Sequence, residues 1–420
     1  MRCAVLLMLL FAAPAFAQAA DGGTVDRANP NLPAETDLSD PPPRSIRKDW
    51  NEYDFKFFTF RWGIYTLLDW GTAAQSTQAT RQIDVKSDFK VRDFRFTLGG
   101  ALATKRKITY TMGLMYDGPT GSWFPRETGV QVAIPELYGN VFVGRQKEGL
   151  SLNKITVGYA VWTMERMPIS EASIPVMSDG IKWLGGLPNK RANWNFGYFH
   201  NVLKKNPGTG FYDDAFAARF AWLPMLPDHE GALLHLAIGY HFGIFSDGQT
   251  KLKSRPESST APYFLDTGVF PAKQNHLIVL EAYFRKRSWL YGAEYFFDQI
   301  KSPEMKDPFF HGGEAFVSWL ITGEERGYKD LGGKLDFVFP ERSAFDGGPG
   351  AWEAVLHASW SDFDSGPVQG GKFFRLTPQI NWYIDDMVSI RLNYGLGLLD
   401  RFGATAVTHF FQARLQLQLD

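Results

Sequence analysis

The chain has 420 residues, of which 15% are aromatic and 21% are charged. Its 44 lysine and arginine residues nearly balance its 45 aspartate and glutamate residues, and the formal net charge of −1 supports neither a nucleic-acid partner nor a global attraction for anions. Its single cysteine is Cys3, so residues 4–420 contain no thiol for catalysis, a disulfide or a zinc site.

Residues 1–17 are predicted to be a cleaved secretory signal peptide. Arg2 supplies the positive charge, an apolar run too short to span a bilayer follows, and Ala15-Phe16-Ala17 has the small-residue pattern of a cleavage site. Losing Arg2 would change the formal net charge from −1 to −2. Residues 18–50 include three consecutive prolines and little that could form a core, so they are predicted to be a flexible extension.

Residues 51–420 alternate apolar and polar side chains in segments of about ten residues, the pattern of outer-membrane strands. In residues 231–245, one face is leucine, isoleucine and aromatic, whereas the other carries His235, Gly239 and His241. We predict about 16 strands. They are residues 55–70, 90–103, 107–117, 129–138, 141–148, 179–186, 192–201, 213–223, 232–245, 274–287, 288–299, 310–322, 351–363, 371–384, 387–400 and 406–419.

This alternation fits either a secreted β-sandwich or a transmembrane antiparallel β-barrel, because no later stretch has the roughly 18 apolar residues of a spanning helix. Two observations favour the barrel. Aromatic residues cluster near strand ends, as in Phe57-Phe58, Trp289, Tyr295-Phe296-Phe297, Phe309-Phe310 and Phe410-Phe411, which is typical of interfacial girdles. The last strand also runs to the C-terminus, where pairing with the first strand would remove a sheet edge.

The connections predict an orientation. Tight turns at Thr104–Arg106, Gly139-Asn140 and Asp385-Asp386 fall at one end, which is predicted to be periplasmic. Residues 334–339 resemble a strand, but counting them would give an odd number, so they are assigned to a long periplasmic link over residues 323–350. Residues 149–178 and 246–273 leave the outer end and are predicted to fold back into the lumen.

Basic residues on the polar faces and in these two segments are the candidate pore-lining, anion-binding residues, because guanidinium and ammonium groups in a water-filled pore attract anions. They are Arg61, Arg95, Lys147, Lys154, Arg166, Arg219, Lys251, Arg255 and Arg391. The alternative for the wall arginines is pairing with acidic side chains across the lumen. His235 and His241 are interpreted as polar lumen residues, and no motif for a metal, a cofactor or a catalytic nucleophile is present.

An ordered series of short motifs from about Arg92 to the C-terminus resembles the phosphate-selective porin O and P family of outer-membrane channels. The motifs are residues 91–100, 143–152, Met164-Glu165-Arg166 with Pro168, residues 255–258, Ala261-Pro262, residues 266–268, 320–324, 350–353 and 411–414. The resemblance implies a 16-stranded, trimeric, anion-preferring porin in which the segment after Lys147-Glu148 forms the constriction. The chain departs from the family at Met177-Ser178-Asp179 and at Tyr263, where basic residues are common, and at its end, where Leu419 replaces an aromatic residue.

The sequence therefore predicts a Gram-negative outer-membrane porin for passive diffusion of small anions such as phosphate or polyphosphate. Its expected partners are outer-membrane lipid, small anionic solutes and two further copies of the chain. The alternative channel function is a general or sugar-type porin without phosphate selectivity. A secreted β-sandwich binding protein and an outer-membrane enzyme are the alternatives from other classes.

Overall fold

The computed structural model describes residues 50–200, 212–226 and 231–419, so the predicted signal peptide and almost all of the predicted extension lie outside the described residues. The described chain is a closed antiparallel barrel of 16 strands. The first eight are β1 (Thr59–Gln75), β2 (Asp88–Leu102), β3 (Ile108–Asp117), β4 (Ser122–Pro125 and Thr128–Ile134), β5 (Gly139–Gln146), β6 (Ser178–Gly186), β7 (Ala192–His200) and β8 (Tyr212–Met225). The others are β9 (Ala232–Phe245), β10 (Gln274–Lys286), β11 (Trp289–Lys301), β12 (Phe309–Leu320), β13 (Ala351–Ser365), β14 (Val368–Tyr383), β15 (Val388–Arg401) and β16 (Ala404–Leu419).

Each strand pairs with its neighbours in chain order, and the barrel closes where β16 pairs with β1. Leu419 is opposite Ile64 and Thr408 is opposite Gln75 in this last ladder. The closing pair leaves no free sheet edge, as the position of the last strand predicted. The short strand Glu52–Asp54 adds a few residues of pairing to β1 before the barrel begins.

Within the described residues, three short helices and several small elements lie in the connections. The helices are α1 (Thr77–Gln82), α2 (Leu152–Ile155) and α3 (Pro168–Ser173), and 3-10 turns occupy Pro135–Leu137, Pro303–Met305 and Ala344–Asp346. Two-residue strand pairs join Gln249–Thr250 to Phe270–Pro271, Lys253–Ser254 to Leu265–Asp266 and Tyr328–Lys329 to Lys334–Leu335. None of the described helices is both long and apolar enough to cross a membrane.

The predicted orientation agrees with the connections. Residues 103–107, 135–138 and 384–387 are short turns at the end where β1 starts and β16 finishes, which we assign as the periplasmic end. The turn predicted at Gly139-Asn140 is displaced: it lies at residues 135–138, where Tyr138 adopts a left-handed conformation, and Gly139 already belongs to β5. Lys334–Leu335 forms only a two-residue strand, so residues 334–339 do not span the barrel.

Aromatic side chains mark both rims of the outer wall. At the periplasmic rim Trp289 stacks on Trp319 with 5.2 Å between ring centroids, and Trp352 stacks on Trp382 at 5.1 Å. At the outer rim, three pairs of neighbouring strands have the same diagonal contact. In each, a tyrosine hydroxyl on one strand contacts a histidine Nδ1 on the next strand. These pairs are Tyr240–His276 at 2.8 Å, Tyr295–His311 at 2.8 Å and Tyr394–His409 at 2.6 Å. Rings with one polar end suit both membrane–water interfaces.

One part of the girdle prediction was wrong. Phe296, Phe310 and Phe410 are no more than 1% exposed and face the lumen, because adjacent residues of a strand point to opposite sides of the wall. They pack with Phe264 and Phe270 of the connection between β9 and β10 in the largest apolar cluster of the molecule. The lumen is therefore partly an apolar core, not a uniformly polar channel.

Candidate functional site

Three long connections fold into the barrel. The first insert, residues 147–177, joins β5 to β6, and the second insert, residues 246–273, joins β9 to β10; both enter from the outer end. The periplasmic insert, residues 321–350, joins β12 to β13 from the opposite end. Its Arg326 reaches the first insert, donating to the Ala160 carbonyl at 2.7 Å.

The first insert leaves the wall at the Lys147-Glu148-Gly149 motif. Glu148 accepts a hydrogen bond from the Ser178 hydroxyl at 2.6 Å and lies 3.1 Å from Nε2 of His241, so its carboxylate ties both ends of the insert to the wall. Gly149 has φ +86, and a side chain there would meet Asn195 at 3.1 Å, so glycine allows the chain to turn inward at this point. Ser151 then caps α2 through its hydroxyl.

The wall holds the first insert through its backbone. Arg391 donates to the carbonyls of Tyr159, Val161 and Thr163, at distances from 2.7 to 3.0 Å. On β11, Glu294 accepts bonds from the Ser151 hydroxyl at 2.6 Å and the Asn153 amide at 2.9 Å. Because buried carbonyls and amides are costly to leave without partners, these contacts fix the path of the insert across the lumen.

A cavity of about 160 Å³ lies on the outer side of the first insert, between the β2–β5 wall and the second insert. We call it the basic cavity. Eight cationic side chains line it against five carboxylates, which gives a formal charge of +3. The cations are Arg92, Arg95, Arg126, Lys147, Lys154, Arg166, Lys253 and Arg255; the carboxylates are Asp93, Asp117, Glu165, Glu171 and Glu257.

Part of this positive charge is neutralised locally. The Glu165 carboxylate forms ion pairs with Arg92 at 2.7 Å and with Arg414 at 2.5 Å. Burial alone would raise the pKa of Glu165, but the two guanidinium charges outweigh it and bring the pKa to about 2. Arg95 pairs with Asp93 at 2.5 Å, and Lys154 pairs with Glu171 at 3.0 Å.

Other cations of the basic cavity are held mainly by neutral groups. Lys147 donates to the Ile155 and Thr156 carbonyls at 3.1 and 3.2 Å. Arg166 donates to the Thr156 carbonyl at 2.7 Å, with Glu171 further away at 3.8 Å. Neutral carbonyls orient these groups without cancelling their charge, so the site can attract an anion.

The second insert contributes two cations around one ring. The Lys253 ammonium and the Arg255 guanidinium each lie 4.3 Å from the centroid of Tyr263. Arg255 is further held by the Ala261 carbonyl at 3.0 Å. Tyr263 thus positions two cations at the cavity wall.

The pKa of Lys147 is lowered well below its usual value, first by burial and then by repulsion from Arg166. Burial also lowers the pKa of Lys154, although the Glu171 carboxylate partly offsets this effect. Both ammonium groups therefore lose their protons at a lower pH than exposed lysines do.

The basic cavity brings together five of the nine predicted residues, Arg95, Lys147, Lys154, Arg166 and Arg255, whose anion-binding role stays a prediction. The other four do not line it. Arg219 pairs with Glu281, Arg391 holds the first insert, Lys251 pairs with Asp266 at 3.0 Å, and Arg61 lies near the periplasmic end of β1.

The candidate set omitted Arg92, Arg126 and Lys253. Strict alternation from Arg95 would point Arg92 toward lipid, but a bulge opposite Leu67 and Leu68 turns both Arg92 and Asp93 inward. Arg126 lies in the break between the two pieces of β4, where alternation again fails. Lys253 could have been included among the candidates, because it lies in residues 246–273, which were predicted to fold into the lumen.

His235 and His241 are fully buried lumen residues, as their strand face predicted. His235 lies 2.8 Å from the Tyr328 hydroxyl, and His241 lies 3.1 Å from the Asn275 side chain. Across residues 50–200, 212–226 and 231–419, no group of three or more His, Cys, Asp or Glu side chains could hold a metal ion.

Comparisons with known proteins agree with this architecture. The barrel resembles the anion-selective porin from Comamonas acidovorans, with a TM-score of 0.54 and 11% identity over 86% of this chain and 100% of that one. It also resembles the outer membrane channel DcaP of Acinetobacter baumannii, with a TM-score of 0.54 and 10% identity over 87% of this chain and 99% of that one. The trimer form of OmpT from Vibrio cholerae gives a TM-score of 0.53 and 9% identity over 86% and 100% of the two chains.

Sequence comparisons specify the family. An uncharacterized protein of Caulobacter vibrioides is 30% identical over 176 residues, covering 41% of this chain. The matched segment spans only 35% of that relative's length. The family model for phosphate-selective porin O and P matches residues 68–419, which is most of the chain and nearly the whole barrel. The chain therefore belongs to the phosphate-selective porin O and P family and is an outer-membrane porin of the Gram-negative type.

Proposed function

We propose that the protein is a passive, anion-preferring channel whose solutes pass through the basic cavity. The observation that carries this proposal is the formal charge of +3 on the cavity lining, beside the insert that crosses the lumen. Fixed cations in a narrow, partly dehydrated passage raise the local anion concentration and repel cations. The family and the fold support a channel, and the Comamonas protein with a similar fold is an anion-selective porin.

Phosphate and short polyphosphates are the proposed solutes. A guanidinium group can bind a tetrahedral oxyanion through several N–H donors at once, which suits phosphate better than chloride. Arg92 and Arg126 already use their paired donors on Glu165 and Glu127. The guanidinium groups proposed to contact the solute are therefore those of Arg95, Arg166 and Arg255. The five carboxylates of the lining would discriminate against cations less strongly than a purely basic filter, so the charge preference is expected to be moderate.

Phosphate inhibition of chloride current tests this proposal. With the purified protein in planar bilayers, inorganic phosphate added to a KCl solution should reduce the chloride current, and pyrophosphate should reduce it at lower concentration. The alternative is a general or sugar-type porin. In that case phosphate would have no effect on the current, and neutral sugars would enter proteoliposomes freely in a swelling assay.

The assembly and export of the protein are proposals too. We propose a homotrimer, supported by the trimer form of the OmpT barrel with the same fold, and a signal peptide at residues 1–17. Sedimentation of the detergent-solubilised protein should give three copies per particle. N-terminal sequencing of protein purified from membranes should begin near Gln18.

The lowered pKa of Lys147 predicts a pH dependence. As pH rises toward the usual lysine pKa of about 10.4, Lys147 should lose its proton before ordinary lysines do, so the cavity loses positive charge and anion preference weakens. Lys147→Arg keeps the charge throughout this range and should flatten the dependence. Reversal potentials in a KCl gradient at several pH values measure this pH dependence. If the Lys147→Arg channel showed the same pH dependence as wild type, Lys147 would not be its cause.

A further inference from the structure

Tyr159 separates two cavities in the lumen. The preceding residue, Gly158, lines the basic cavity, whereas Tyr159 itself lines a second cavity toward the periplasmic end. This second cavity has a volume of about 10 Å³, and Phe337 and Phe339 of the periplasmic insert form part of its wall. That is about the space of one water molecule, so little free space is left around Tyr159 and Phe337 on this side of the basic cavity.

The layer between the cavities is a stack of aromatic rings. Tyr159 stacks on Tyr65 of β1 with 4.5 Å between centroids and an interplanar angle of 15°. Its ring also contacts Phe337, with 5.5 Å between centroids. The Arg95 guanidinium, which lines the basic cavity, lies 5.1 Å from the Tyr159 centroid. The Tyr159 ring therefore contacts both a cation of the basic cavity, Arg95, and an aromatic residue of the periplasmic insert, Phe337.

The contact between Tyr159 and Phe337 joins two different inserts. The Tyr159 carbonyl is held on the barrel wall by Arg391 at 2.8 Å and Gln416 at 3.1 Å, so this residue is fixed. Phe337 belongs to the periplasmic insert and is less deeply buried than Tyr159. The residue before it, Asp336, donates a backbone hydrogen bond to the Gly327 carbonyl at 2.9 Å within the same insert.

We propose that the contact between Tyr159 and Phe337 is the barrier that a solute crosses between the basic cavity and the periplasm. A hydrated anion interacts poorly with aromatic faces, and apolar constrictions control conduction because they dewet. The basic cavity then sets the sign of the charge preference, and the aromatic contact sets the conductance and the size limit. This inference rests on the proposed channel function.

A graded series at position 337 tests the barrier. Single-channel conductance should increase in the order Phe337→Trp, wild type, Phe337→Leu and Phe337→Ala, with the alanine variant about two- to fivefold above wild type. Tyr159→Ala should raise it as well. The reversal potential in a KCl gradient should keep its sign in every variant, because none of these changes alters charge.

Phe345→Ala is the matched control, since Phe345 lies on the same insert but is 57% exposed. Its conductance should equal that of wild type. A heat-dependent shift in gel mobility shows which variants are folded, and Phe337→Leu keeps an apolar contact if the alanine variant does not fold. Equal conductance across the folded series would overturn the barrier, whereas a graded series in a channel without anion preference would support the barrier and refute the proposed function.

Discussion

Replacing Lys253 and Arg255 together by glutamate is expected to convert the channel from anion preference to cation preference. Each replacement removes one positive charge and adds one negative charge, so the formal charge of the cavity lining falls from +3 to −1. Both side chains lie against Tyr263 at the cavity wall and are not held by a strong carboxylate pair, so their loss should not unfold the barrel. The sign of the potential in a pore follows the sum of its lining charges.

The reversal potential in a KCl gradient measures this conversion, with wild type and variant reconstituted at the same orientation. Lys251→Glu is the matched control, because Lys251 lies two residues away on the same insert, pairs with Asp266 and does not line the cavity. It should keep the wild-type sign. If the double variant still prefers anions, the basic cavity does not control selectivity.

Glu281→Ala is expected to cause the largest loss of stability. Glu281 accepts two bonds from Arg219, at 2.8 and 2.7 Å, and both side chains are fully buried in the lumen wall. Arg219 in turn donates to the carbonyls of Gly332 and Gly333 on the periplasmic insert, at 3.0 and 3.1 Å. Removing the carboxylate leaves a buried, unpaired guanidinium, which costs about 3–5 kcal/mol.

The free energy of unfolding in urea, followed by the heat-dependent gel shift, checks this prediction. The paired replacement Arg219→Met with Glu281→Leu removes both charges and should recover most of the loss. Glu304→Ala, in an exposed 3-10 turn at the outer end, is the control and should change stability little. A Glu281→Ala protein as stable as wild type would show that the pair does not support the wall.

The barrel could be predicted from the sequence because a strand exposed to lipid on one face and to the lumen on the other must alternate every second residue. Fifteen of the predicted segments approximate the observed strands, and the predicted end at Leu419 is the observed one. The predicted fourth strand, residues 129–138, begins too far along the chain, because the first piece of β4, Ser122–Pro125, was not predicted. Its two pieces are interrupted at Arg126, where the alternation is broken.

The inward path of residues 149–178 could also be predicted, because the strand alternation is lost there and the segment leaves the outer end of the barrel. The entry of residues 321–350 into the lumen could not be predicted. Residues 323–350 were assigned to a periplasmic link, and nothing in their composition indicates that Arg326 would enter the lumen and pair with Glu353 at 2.8 Å. Contacts of this kind depend on which distant strands face each other, which no local pattern records.

The candidate site shows the same limit. Residue type and strand face identified Arg95, and the inward segments identified Lys147, Lys154, Arg166 and Arg255, all of which line the basic cavity. Arg391 has the same residue type on a lumen-facing position, yet it donates to three backbone carbonyls of the first insert. Only the position of the insert distinguishes a lining cation from a structural one.

The reversal potential of the wild-type channel in a KCl gradient tests most directly whether the basic cavity makes this porin prefer anions. We expect a potential displaced toward the equilibrium potential of chloride, at neutral pH and moderate salt. A potential displaced toward that of potassium, or a purified and folded barrel that conducts no ions, would contradict it.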